Sequence, residues 1–365
     1  MNVNEVIANL AIEHLGGRRG DYTLVHPNDH VNFGQSTNDT FPTAMRLASL
    51  LLLKEFYPAL AELAAAFEEK GREFDEVLKS GRTHLQDAVP IRLGQEFEAY
   101  AVALRQAHNQ IAGNAKALSH LGIGGSAVGT GLNAPPRFAG LVVRRLRKLT
   151  GLKLSVAEDL RAAMQSQLPM AAVSGSLRNL ALELIRIAND LRLLSSGPTT
   201  GLSEISLPAL QPGSSIMPGK VNPVMPELLD MVAYQVVGCD TVVALAVQAG
   251  QLELNVMMPA MAWNILHAIE ILKNTCRVVA RRCILGIQAN REVCERYAYR
   301  SPSIATALNP VIGYARAAEI VKKALATGKT IPEVCLEEKV LTRKELDRIL
   351  DPRRMTESGV PSRRR

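Results

Sequence analysis

The feature that most restricts the fold is the length over which apolar residues recur at helical spacing. Through about 42–74, 94–120, 156–196 and 227–288, Ala, Leu, Val and Ile return every three or four positions. Strand-type alternation is almost absent, with Glu204-Ile-Ser-Leu207 at most one short piece. Only 4% of residues are aromatic while 47% are hydrophobic, so small aliphatic side chains supply the bulk. Helices of roughly 25 to 40 residues with this composition predict an all-α long-helix bundle. Such a bundle has more apolar face than one chain can cover, and oligomerisation is the expected way to bury it. Pro169 is expected to kink or break the third pattern, a break is expected near Pro259, and Trp263 is expected among core residues. An amphipathic helix opens the chain and stops at Gly16-Gly17. The central bundle is expected over 35–287. Shorter helices at about 310–326, 330–338 and 342–350 predict a small helical C-terminal domain over 288–365.

The formal charge of +7 admits nucleic acid or small acidic molecules as partners. Basic residues mostly alternate with Glu and Asp, and only Arg353-Arg354 and Arg363-Arg364-Arg365 cluster. No RRM, homeodomain or zinc-finger pattern accompanies them, which excludes nucleic acid from the expectation. The cysteines (Cys239, Cys276, Cys283, Cys294 and Cys335) are odd in number and lack Cys-x-x-Cys, as expected of buried thiols in a reducing compartment. The most apolar stretch, 236–250, carries Asp240 and Gln248 and is shorter than a bilayer span. The start, Met-Asn-Val-Asn-Glu, has no signal-peptide pattern. A soluble cytoplasmic protein without a membrane partner is expected.

Polar chemistry gathers on loops. The densest is Gln211-Pro-Gly-Ser-Ser-Ile-Met-Pro-Gly-Lys-Val-Asn-Pro-Val-Met-Pro-Glu227, where glycines and prolines exclude a regular helix. It is not a P-loop: Gly213 and Gly219 are separated by five residues, against four in a Walker A loop, and Val221 replaces the magnesium-binding Ser or Thr. Gln35-Ser-Thr-Asn-Asp-Thr40 precedes a helix and supplies capping residues, and the same helix start presents N–H groups to an anion. Gly81-Arg-Thr-His-Leu-Gln-Asp-Ala-Val-Pro90 is expected to form a loop. Gly122, Gly124 and Ala127 match G-x-G-x-x-A, yet a helix precedes them, so a tight loop is expected instead of a dinucleotide site. His26 and His30 lie four apart, but Pro27 argues against a helix and no third ligand is near, so no metal site is expected.

Ser36-Thr37-Asn38-Asp39, Gly81-Arg82-Thr83-His84 and Gly213-Ser-Ser-Ile-Met-Pro-Gly-Lys-Val-Asn-Pro223 together resemble the signatures of the aspartase/fumarase superfamily. Asn189-Asp-Leu-Arg-Leu-Leu-Ser-Ser-Gly-Pro198 and Glu253-Leu-Asn-Val256 are similar to family sequence too, so the resemblance covers essentially the whole chain. It implies homotetramers around a central helix bundle, with active sites built from loops of three subunits. It also implies reversible addition to, or elimination across, the double bond of fumarate. Val224-Met-Pro-Glu227 resembles the aspartase branch, where fumarases typically read Thr-Gln-Cys-Glu.

By the same resemblance Ser214 is the general base, and the backbone N–H of Ser215 helps to hold developing negative charge. Lys220 and Asn222 bind the α-carboxylate. Ser36, Thr37 and Asn38 bind the other carboxylate and the amino group. Thr83 and His84 come from another subunit, with Glu227 orienting His84. No metal or organic cofactor is implied. Relatives carry an N-terminal segment ending in Gly-Thr-Ser-x-Asn-Met-Asn, and Met1-Asn2-Val3-Asn4-Glu5 resembles its tail. Residues 1–34 therefore read as the remnant of an N-terminal domain, through either an internal start or a shortened protein. Three readings stay open: an ammonia-lyase, a class II-type fumarate hydratase, and a catalytically silent helical oligomer.

Overall fold

The computed structural model describes residues 1–359, and Arg363, Arg364 and Arg365 lie outside the described residues. Long helices dominate, at Thr37–Glu73, Leu93–Ala115, Leu168–Leu194, Val224–Gln248 and Met258–Arg282. The chain forms two compact units, one of Met1–Leu60, Gln106–Leu184 and Met231–Thr275, the other of Ala61–Arg105, Ile185–Asp230 and Cys276–Arg365. The unit boundaries fall inside these helices.

Both expected breaks are present, and where the helices restart explains them. The 156–196 pattern is interrupted between Gln165 and Leu168, and the 227–288 pattern between Gln248 and Met258. Each proline is the second residue of the helix that follows, Leu168–Leu194 and Met258–Arg282 respectively. A proline costs nothing there, because the first-turn N–H groups have no intrahelical partner. Pro42 and Pro58, in contrast, lie inside the Thr37–Glu73 helix, which continues through both. The residues between 155 and 168 are not continuous with the Leu168–Leu194 helix. They hold the strand Ser155–Val156 and the short helix Leu160–Gln165, whose start is capped by the Asp159 carboxylate.

In the first unit the core stripe on Met258–Arg282 consists of Met261, Ile265, Ile269 and Leu272, all buried. Trp263 falls outside that three-to-four spacing and is 72% exposed, contrary to its expected core position. Its ring stacks on His267, with centroids 6.1 Å apart and planes at 10°. A satellite core of Leu121, Ile123, Val143 and Leu154 packs around the two-residue parallel strands His120–Leu121 and Ser155–Val156.

In the second unit Phe67, Phe74, Phe97 and Tyr100 form an aromatic cluster with centroids 5.2–5.9 Å apart, edge-to-face for Phe67–Tyr100 and Phe74–Phe97 and tilted for the other two pairs. The stretch expected as a loop near Gly81 is a β-hairpin, with Leu78–Thr83 antiparallel to Gln86–Arg92. His84 and Leu85 make its two-residue turn at φ of 54° and 60°. Two successive left-handed residues match strand twist, but the usual sequence signal is Asn-Gly or Asp-Gly, which is missing here. The last helices start at reciprocal capping boxes, Thr330 with Glu333 and Thr342 with Glu345, and share the buried cluster of Ile304, Leu308, Ile320, Val334 and Leu346.

The Val224–Gln248 helix is, by length and composition, long and apolar enough to cross a membrane. It is longer than the apolar stretch read from the sequence. Its acidic residues are satisfied within the protein: Asp230 meets Arg192 at 3.3 Å, and Asp240 accepts from the Ser174 hydroxyl at 2.6 Å. All five cysteines are buried and unpaired.

Candidate active site

The loop that ends at Glu227 is closed on itself. Asn222 donates from Nδ2 to the Gly213 carbonyl at 2.6 Å, and a Cβ on Gly213 would run into the Lys220 carbonyl. Only glycine permits that approach. Within the closure the Ser214 hydroxyl oxygen accepts two backbone N–H groups, from Ile216 at 3.2 Å and Met217 at 3.0 Å. Two N–H dipoles aimed at one oxygen favour negative charge on it.

Beside the loop lies a cavity of about 720 Å³, lined among others by Arg192, Ser196, Ser203, Lys220, Asn222 and Glu227. Its size suits a small-molecule site. Glu227 stands in the first turn of Val224–Gln248, where the helix dipole favours a carboxylate, and lies 4.0 Å from the Arg192 guanidinium. Arg192 also donates to Asn189 at 2.9 Å and pairs with Asp230. Burial pushes the Asp230 carboxyl up, and Arg192 opposes that shift.

Of the residues picked out from the sequence, Lys220, Asn222 and Glu227 line this cavity. Ser214 and Ser215 lie on the same loop, outside the lining. Thr83 and His84 are exposed at the hairpin tip of the same unit. Ser36, Thr37 and Asn38 belong to the other unit. There the Ser36 hydroxyl accepts the Asn38 N–H at 3.2 Å, and Asn38 donates to the Ala127 carbonyl at 2.9 Å. Asp39 is fully buried and accepts the N–H groups of Ser36, Gly124 and Ser126 at 3.0, 3.0 and 2.9 Å. The glycine-rich loop thus wraps a carboxylate of its own chain. Burial pushes the Asp39 carboxyl up, although these donors pull the other way.

His26 and His30 shape a turn. His26 Nδ1 accepts the Asn28 and Asp29 N–H groups at 3.2 Å, and His30 Nδ1 accepts the His26 N–H at 2.8 Å. Pro27 opens a single π-helical turn there, where the sequence argued against a helix. Among the described residues no group of three or more His, Cys, Asp or Glu side chains is placed to hold a metal ion.

A sequence profile described as Lyase matches residues 1–238, and one described as Fumarase C C-terminus matches residues 304–357. Over 360 residues the chain is 49% identical to the aspartate ammonia-lyase of Bacillus subtilis, spanning 99% of this chain and 76% of that one. The chain belongs to the aspartase/fumarase superfamily. Another superfamily member, the aspartate ammonia-lyase of Escherichia coli K12, is 45% identical over 364 residues, covering 100% of this chain and 76% of its own. Among solved superfamily structures, a fumarate lyase:delta crystallin from Brucella melitensis bound to cobalt superposes with a TM-score of 0.94 at 52% identity, covering 98% of this chain and 78% of that one. A class II fumarase from Schistosoma mansoni superposes with a TM-score of 0.91 at 41% identity, covering 97% and 78%.

Arg192 and the cavity serines Ser195, Ser196, Ser203 and Ser206 were not singled out as site residues from the sequence. The available signal was a cation and a serine pair at the end of a long helix, just ahead of Gly197-Pro198.

Proposed function

We propose that the chain is an aspartate ammonia-lyase, which reversibly eliminates ammonia from L-aspartate to give fumarate. The observation that carries this reading is the Ser214 hydroxyl under two N–H groups, on the loop that brings Lys220 and Asn222 to the cavity. The proton to be removed, on the carbon beside the side-chain carboxylate, is weakly acidic, so the enolate-like dianion needs strong stabilisation. Ser214 as alkoxide takes that proton. The electron pair left behind forms the double bond as the C–N bond breaks and ammonia leaves. A serine hydroxyl is a poor base unless its alkoxide is stabilised, and the Ile216 and Met217 N–H groups are placed to do so.

Lys220 supplies a point charge and Asn222 directed hydrogen bonds to the α-carboxylate. The Ser215 N–H supports the developing charge. Ser36, Thr37 and Asn38, at a helix start, hold the second carboxylate and the amine, while Thr83 and His84 approach from another subunit. Glu227 orients His84 across that contact. Assembly as a homotetramer is supported by apolar side chains left exposed on the long helices: Met231, Tyr234 and Leu245 on one, Trp263 and Val278 on another. Five buried, unpaired thiols support a cytoplasmic setting.

The likeness to a class II fumarase makes L-malate the competing substrate. The test is the ultraviolet absorbance of fumarate formed from L-aspartate and from L-malate in parallel, with Ser214→Ala as control. Fumarate from aspartate alone, lost in the variant, is expected. Turnover of malate alone transfers the chain to the hydratases, and silence with both substrates overturns an active enzyme.

A further inference from the structure

A regular strand would send Lys79 and Arg82, three residues apart, to opposite faces. The hairpin breaks that rule with a bulge between Ser80 and Arg82. Gly81 makes the bulge possible, because a Cβ there would stand 2.6 Å from the Val89 carbonyl oxygen. A bulge re-aims the side chains beyond it, and here it brings both cations onto one carboxylate. Arg82 Nη1 lies 2.9 Å from each oxygen of Glu204, and Lys79 Nζ lies 3.2 Å from the second. Glu204 is fully buried, and Lys79 is also held by Glu96 at 2.7 Å. The Arg82 guanidinium is capped by the Tyr297 ring, 5.6 Å from its centroid.

Glu204 is equally fixed through its backbone. Its N–H donates to the Leu194 carbonyl and its carbonyl accepts the Asn290 N–H, both at 2.9 Å. It leads into the strand Ile205–Ser206, and Ser203, Ile205 and Ser206 line the cavity beside Lys220 and Asn222. One buried carboxylate therefore joins the cavity wall to the hairpin that ends in Thr83 and His84. A buried set of two cations and two carboxylates is a poor source of stability compared with apolar packing, but it fixes geometry.

We propose that Glu204 is a positioning residue: through Arg82 and Lys79 its carboxylate fixes the Thr83–His84 tip on its own subunit, in the place from which the tip reaches the cavity of a neighbouring subunit. The catalytic part of this inference rests on the ammonia-lyase reading, while the mechanical part does not. Both are tested in the full chain, as it assembles, with Glu204→Gln, which keeps the side-chain shape and removes the charge. Hydrogen exchange is expected to speed up about tenfold or more at residues 82–87 while the Leu93–Ala115 helix keeps its protection. With aspartate, kcat is expected to fall by about 100-fold with little change in KM, as when a group in the site is displaced and not removed. Combining Glu204→Gln with His84→Ala should be no slower than the slower single variant, because both act on one tip.

Unchanged exchange at the tip overturns the proposal, as do rate losses that multiply in the double variant. Should the Gln variant not fold, Arg82→Lys keeps the charge but loses contact with both oxygens, and is read in the same way. A wild-type chain silent towards aspartate would overturn the ammonia-lyase reading, yet exchange at the tip would still decide whether Glu204 holds it.

Discussion

The Asp39 carboxylate accepts the Ser126 N–H at 2.9 Å, tying the start of one long helix to a glycine-rich loop 87 positions further along the chain. The other oxygen accepts from Ser36, so the segment that carries Ser36, Thr37 and Asn38 is held by the same side chain. Asp39→Ala would leave three donors without this acceptor, Gly124 buried and Ser36 and Ser126 half-buried. A loss of about 3 kcal/mol is expected, since a bond to a charged acceptor contributes about 1.5–3 and orphaned donors add to the loss. Urea unfolding followed by circular dichroism measures it. A loss within experimental scatter would mean that the loop keeps its shape without the carboxylate.

Closure of the Gln211–Glu227 loop depends on a missing side chain. Gly213→Ala places a methyl group against the Lys220 carbonyl and must open the clamp made by Asn222. The helices do not depend on this contact. Retained helical circular dichroism is expected, together with a fall in kcat/KM for aspartate of about 100-fold, the scale of an ångström-sized displacement. Near-normal turnover would show that the closed loop is not the working form.

Arg192 is the cation that opposes the upward push of burial on the Asp230 carboxyl, in a site only 3% exposed. Arg192→Met preserves the aliphatic stem but strands that carboxylate, at a cost of about 3 kcal/mol. Adding Asp230→Asn removes the stranded charge and should restore most of the stability. Denaturant midpoints of the single and double variants provide the check, and additive losses would contradict the pairing.

The thiols should be silent in the native state. Burial pushes Cys276, Cys283 and Cys294 up to about 12 and Cys335 to about 11, against 9.0 for an ordinary thiol. A disulfide reagent at pH 8 is expected to label none of them until denaturant is added. The linkage has a definite sign. The folded chain keeps these protons to higher pH than the unfolded chain does, so their contribution is complete below about pH 9 and is lost as pH rises through 11–12. Rapid labelling of the folded protein would show a more open core.

Long helices were legible because a period near 3.6 repeated over many turns leaves few alternatives. The short helices expected at about 330–338 and 342–350 lie where the pattern put them, at Ile331–Glu337 and Arg343–Ile349. The hairpin was not legible, because its turn is made by His84 and Leu85 in place of the usual Asn-Gly or Asp-Gly pair, and leucine rarely adopts left-handed backbone. The break at Pro169 was legible, but its place in the first turn of a new helix was not, because a proline excludes the middle of a helix without telling which side of it the next helix starts. The polar density of Gln211–Glu227 marked its loop plainly. Arg192 escaped notice because its importance lies in what it faces: Glu227 and Asp230 are 35 and 38 positions away.

Trp263 gives the protein a built-in optical gauge. It is the sole indole in the chain and sits on the outer surface of a helix whose buried stripe is aliphatic. Its emission colour therefore reports the wetness of that single face, unmixed with any other signal. A red emission describes an indole in water, and a blue one describes an indole that has been covered. A colour that moves to the blue as concentration rises would place this face between copies of the chain, and a colour independent of concentration would leave it facing water.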